Sequence, residues 1–132
     1  MKVIYDTCIY IDYLRAAMRS ELFEHQGHIR YLAPIVVMEL NAGARSSTQQ
    51  KALDRLYAPY ARAGRVLPLS SDSYHLAGRV LAKLRGKRES HLIANDILIA
   101  LSALQVGACL YTANARDFEL IAKYIDFRWA KV

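Results

Sequence analysis

The sequence predicts an α/β fold, a three-layer sandwich whose mainly parallel central sheet is flanked by helices. Two observations lead there. Short β-branched and aromatic runs alternate with amphipathic helical text, and parallel strands need such crossover connections. The length of 132 residues also suits one domain, 1–132, able to bury a core without metal or disulfide staples.

KVIYD (Lys2 to Asp6) reads as a strand ending at a carboxylate. IYIDYLR and the segment from Arg19 to His25 are short amphipathic helical pieces, and IRYLA (Ile29 to Ala33) is a second strand. Pro34 is suited to the first turn of the next helix, IVVMELNAGA, with Gly43 as its stop. Gln49 to Ala63 and Ser71 to Arg85 read as two longer helices separated by Gly64 and a strand-like RVLPL (Arg65 to Leu69). After the basic stretch KLRGKRESH comes an apolar helix from Asn95 to Val106, then the strand ACLYTA (Ala108 to Ala113). A short helix from Arg116 to Tyr124 and a strand-like DFRWAKV close the chain, with no repeat, low-complexity segment or linker.

Composition bounds the function. Hydrophobic residues at 54% and charged residues at 23% are globular values. The excess of 18 Lys and Arg over 12 Asp and Glu gives a net charge of +6, which favours a polyanionic partner such as nucleic acid. The two cysteines, Cys8 and Cys109, have apolar or small neighbours and are expected to pack as small hydrophobes. With no signal-peptide layout, a cytoplasmic location is expected. Ile97 to Ala115 is uncharged and long enough for the ~30 Å bilayer core, but Gly107 divides it into helix and strand, so no membrane span is expected.

In parallel sheets, ligands bind beyond the carboxyl ends of the strands. Asp6 ends the first strand, Glu39 lies in the helix after the second, and Asp117 opens the helix after ACLYTA. Asp96 opens the apolar helix that feeds that strand, and an antiparallel crossover puts its start at the same edge. A lone Asp there reads as a helix N-cap; four convergent acids read differently. Such a cluster repels itself unless a cation sits between its members. Hard oxygen donors suit Mg²⁺ or Mn²⁺, and a metal-filled acidic centre in a basic surface suits a phosphodiester.

YDTCIYIDYL, VVMELNAG, ANDILIAL and YTANARDF, in that order and spacing, carry a resemblance over the whole length. The chain resembles PIN-domain proteins, in particular the VapC-type toxin ribonucleases of toxin–antitoxin pairs. The resemblance implies an acidic quartet of Asp6, Glu39, Asp96 and Asp117, with Thr7 and Thr112 as polar helpers and Asn114 supporting the loop of the last acid. It implies a central first strand, metal-assisted cleavage of RNA such as tRNA or rRNA, a homodimer, and a cognate antitoxin whose tail binds it. Asp6 and Asp96 are expected to ligate metal directly, with Glu39 and Asp117 binding through water, completing a second ion site or orienting the attacking water.

Lys83, Arg85, Lys87, Arg88 and His91 form the densest basic run and are candidates to track an RNA backbone or to be a solvated helix end. Arg116 is a candidate phosphate contact or ion-pair partner. His25 and His28 are expected in a surface turn, not at zinc, Asp12 is expected to be solvated, and Tyr5, Tyr31 and Tyr111 are expected in the core. Two rival functions are a non-catalytic RNA- or protein-binding module and a Mg²⁺-dependent phosphotransfer receiver domain. The receiver layout wants adjacent acids after the first strand, where this chain has Thr7 and Cys8.

Overall fold

Lys2–Tyr5 forms strand β1, and its Val3, Ile4 and Tyr5 are each 2% exposed or less. Burial on both faces marks the middle of a sheet, and β1 is indeed flanked by β2 (Ile29–Tyr31) and β3 (Cys109–Thr112), with β4 (Arg128–Lys131) outside β3. The computed structural model describes residues 1–87 and 90–132. All three strand pairs are parallel, Val3 standing beside Arg30 on one side and Cys109 on the other. With seven helices among the described residues flanking it, the sheet gives the expected α/β sandwich.

Helix α1 (Thr7–Ala16) starts directly after Asp6, whose carboxylate caps it. A tight connection through Ala17 and Arg19, both left-handed (φ 51° and 62°), leads to α2 (Ser20–Glu24). Asp12 is not the solvated acid expected. Its carboxylate pairs with Arg19 at 3.1 Å and pins this connection.

Pro34 is the first residue of α3 (Pro34–Ala42), where its missing N–H leaves nothing unpaired. Ser46 and Ser70 cap α4 (Ser47–Arg62) and α5 (Ser71–Lys83), their hydroxyls accepting from Gln49 N and Ser73 N.

The strand expected at Arg65–Leu69 does not form. Its backbone partners lie elsewhere: Arg65 O accepts from Leu32 N, while the Gln105 amide bonds Pro68 O and Ser70 N at 2.9 and 3.0 Å. With Pro68 unable to donate, the segment is an extended connection held by a side chain.

The apolar helix begins earlier than expected. Helix α6 runs Ser90–Val106, so Asn95 and Asp96 lie in its second turn and are not caps. Ile93 extends the buried row of Ile97 and Leu101 at a spacing of four, and burying it favours an earlier start. The helix packs on β1, β3 and α5 and on α7 (Ala115–Ile121). Gly107, at φ 69°, supplies the left-handed turn that aims the chain into β3. Among the described residues no helix is long and apolar enough to cross a membrane.

Candidate active site

The chain leaves β1 for β2 in one direction and reaches β3 on the other side, so the topology switches between the ends of β1 and β3. A crevice forms there in open parallel sheets. Asp6 and Thr112 occupy it.

Asp6, 7% exposed, uses both oxygens: Oδ1 accepts from Thr7 N at 2.7 Å, and Oδ2 accepts from the Thr112 hydroxyl at 2.7 Å and the Cys8 thiol at 3.3 Å. Asn114 N in turn donates to Thr112 Oγ1 at 3.0 Å. Asn114 therefore braces the β3–α7 loop through its backbone.

Thr7 Oγ1 donates to Glu39 Oε1 at 2.7 Å, bringing α3 to the same edge. Glu39 Oε2 accepts from the Asn95 amide at 3.3 Å, bringing the second turn of α6. Four separated segments, β1–α1, α3, α6 and β3, are thus joined by side-chain hydrogen bonds. Glu39 also lines a groove of about 350 Å³ between α1, α3 and α4, whose walls include Ile11, Arg15, Leu40 and Leu53.

Asp96 directly follows Asn95 and is half-buried, and Asp117 is buried in the first turn of α7; each residue has an interaction of its own. Among the described residues no three His, Cys, Asp or Glu side chains stand together as a ready cage for a metal.

Two participants escaped sequence reasoning. Asn95 stands in the quoted stretch beside Asp96, and that adjacency was the available signal. Cys8 is no inert core filler, because its thiol turns back to the Asp6 carboxylate. Burial first, and the Asp6 charge second, push that thiol up to about 11, so it stays protonated and donates.

The basic candidates are scattered. Lys83, Arg85 and Arg116 are exposed, the first two at the end of α5 and the last in the first turn of α7. Lys87 is engaged by Tyr124, bonding its hydroxyl at 2.8 Å and lying 5.5 Å from its ring centre. Arg88 and the side chain of His91 lie outside the described residues. His25 and His28 stack at 4.1 Å in the turn before β2. Tyr5 is buried, and Tyr31 and Tyr111 are half-buried against the core.

Residues 3–124 match the PIN domain. The chain belongs to the PIN-domain family. Ribonuclease VapC1 of Rickettsia felis is 30% identical to it over 124 residues, 92% of this chain and 91% of that protein.

PIN-type architecture is equally clear in solved structures. A chain in VapBC2 from Rickettsia felis, bound to a DNA fragment from its promoter, superposes with a TM-score of 0.70 at 19% identity, covering 100% of this chain and 99% of that one. A chain in VapBC-1 from nontypeable Haemophilus influenzae gives 0.70 at 21% identity, with 99% and 98% covered. At these identities the likeness speaks to the fold, and it matches the parallel PIN-type sheet that the strand order displays.

Proposed function

We propose that this PIN-domain protein is a metal-dependent endoribonuclease, the toxin of a type II toxin–antitoxin pair, which hydrolyses phosphodiester bonds in tRNA or rRNA. One observation carries the reading: the hydrogen-bonded set Asp6, Thr7, Glu39, Asn95 and Thr112 at the topological switch point. The name of the relative, Ribonuclease VapC1, supplies the activity.

The donor chemistry fits Mg²⁺ or Mn²⁺. Carboxylate, hydroxyl and amide oxygens surround the site, its one thiol is protonated, and these cations are commonly held by one or two carboxylates plus waters and substrate phosphate. Asp6 and Asp96 would hold the ion directly, with Glu39 and Asp117 reached through water or serving a second ion. An ion held there would supply polarisation of the phosphate and a lowered pKa for its bound water.

The chain itself supplies the rest. Thr112 and Thr7 N fix the rotamer of Asp6, and Thr7 with Asn95 holds both oxygens of Glu39 in place. Glu39 and Asp117 orient the attacking water, and the excess of basic side chains holds the RNA backbone. On this reading residues 1–132 act as one domain, in the cytoplasm, as a homodimer controlled by a protein antitoxin. The toxin–antitoxin pairs among the solved relatives support the partner. Exposed Met38 and Tyr74, each 56% accessible beside an apolar hollow, supply a face for the second copy.

The test is to incubate purified protein, free of co-purified antitoxin, with total tRNA and rRNA, in Mg²⁺ and in chelator, and to map new ends. Metal-dependent ends that vanish in Asp96→Asn, with the fold intact, are expected. No cleavage of any RNA by the unmodified protein would refute the reading and leave the binding module.

A further inference from the structure

A second cavity, of about 260 Å³, opens at the β2 edge of the sheet. Three arginines line it from three different segments: Arg30 on β2, whose guanidinium also donates to His25 O at 3.4 Å, Arg55 on α4, and Arg65 just beyond α4. Among the described residues no acidic side chain lines it. Three cations around one hollow favour an anionic ligand.

The remaining walls narrow the choice. Tyr13, Phe23 and Tyr60 stand beside the arginines, and Tyr13 lies stacked on Phe23 at 4.1 Å. Guanidinium forks match phosphate oxygens in bidentate fashion, while aromatic rings accept unpaired bases by stacking. An acidic peptide would use the charges but not the rings.

Helix α4 links this cavity to the acid site. Its first half lines the Glu39 groove through Gln49 and Leu53, and its second half lines the arginine cavity through Arg55 and Tyr60. Gln49 and Arg55 are roughly 9 Å apart along the helix axis and about two-thirds of a turn apart around it, so a strand that reaches both follows the helix surface.

We infer that Arg30, Arg55 and Arg65 form a phosphate-binding subsite that grips unpaired RNA a short distance from the bond to be cut. The inference rests on the ribonuclease reading for the identity of the polyanion.

The probe is a fluorescein-labelled single-stranded RNA of about ten nucleotides, within the usual 4–16 nucleotide site, titrated by anisotropy in chelator over a range of salt. Arg55 and Arg65 are exposed, so Arg55→Gln with Arg65→Gln should melt like the unmodified protein. This pair is expected to weaken binding at least tenfold and to flatten the log–log salt dependence by about 1.4, two single-strand contacts' worth. The matching lysine pair should keep the slope and lose part of the affinity.

Unchanged affinity and slope in the glutamine pair would overturn the subsite, as would arginine-dependent binding of a polyglutamate peptide without arginine-dependent binding of RNA. Cleavage assays on the same proteins separate the two readings. Normal cleavage with unchanged RNA binding and KM in the glutamine pair removes the subsite alone. Arginine-dependent RNA binding by a protein that cuts nothing removes the ribonuclease reading alone.

Discussion

The hydroxyl of Thr112 donates to Oδ2 of Asp6 at 2.7 Å, joining residues 106 positions apart in sequence. Thr112 is fully buried, so this bond to a charged acceptor is shielded from competing water. It ties the ends of two adjacent parallel strands and sets the direction in which the carboxylate points.

Thr112→Val keeps the shape and removes the donor. It is expected to destabilise the fold by about 1.5–3 kcal/mol, the usual value for a bond to a charged group, and to lower RNA cleavage at least tenfold at a temperature where the protein remains folded. Thr112→Ser should restore most of both. Urea unfolding and initial cleavage rates measure the two effects.

Metal dependence should follow the donor chemistry. Exhaustive chelation is expected to stop cleavage, and Mg²⁺ or Mn²⁺ to restore it. Zn²⁺ is expected to restore little, because the hydrogen-bonded acceptors at the site are oxygens and its thiol is protonated. Rescue by Zn²⁺ alone would contradict the proposed oxygen site.

His28 gives a pH signature. Burial first, then the neighbouring His25, hold its imidazolium below the usual range. A depressed native pKa means that the unfolded chain takes up the proton more readily. The associated stability is present above about pH 6.5 and fades as pH falls through the lower native value. The urea midpoint should therefore drop between pH 7.5 and pH 5, and less steeply in His28→Gln.

Gly107→Ala isolates a backbone effect. The added Cβ meets nothing within 4 Å, so strain arises only from φ 69°. The left-handed penalty predicts a loss of about 1–2 kcal/mol, read from thermal or urea unfolding, with cleavage unaltered at low temperature.

The fold class, strand order of appearance and strand-end addresses of Asp6 and Glu39 were legible because each depends on local text: β-branched runs, a proline at a helix start, an acid after a strand. RVLPL misled because its composition is strand-like while its hydrogen-bond partners are a distant glutamine and the end of β2. The start of α6 was misplaced because Asn95 and Asp96 resemble caps, and only burial of Ile93 shows the helix continuing upstream. Cys8 and Asn95 were missed as site members because their roles are defined by partners across space. The arginine cavity was invisible for the same reason: Arg30, Arg55 and Arg65 never cluster in the sequence, whereas the run that does cluster sends Lys87 to Tyr124.

The pairing of β1 with β3 has a consequence for biogenesis. The opening strand waits unpartnered on that side while more than a hundred further residues are synthesised, and a fold so dependent on remote pairings completes late. On the ribonuclease reading, a nascent chain still threaded through the translating ribosome lacks Thr112 and Asp117. It leaves that machine's own RNA untouched until β3 and the start of α7 have been made.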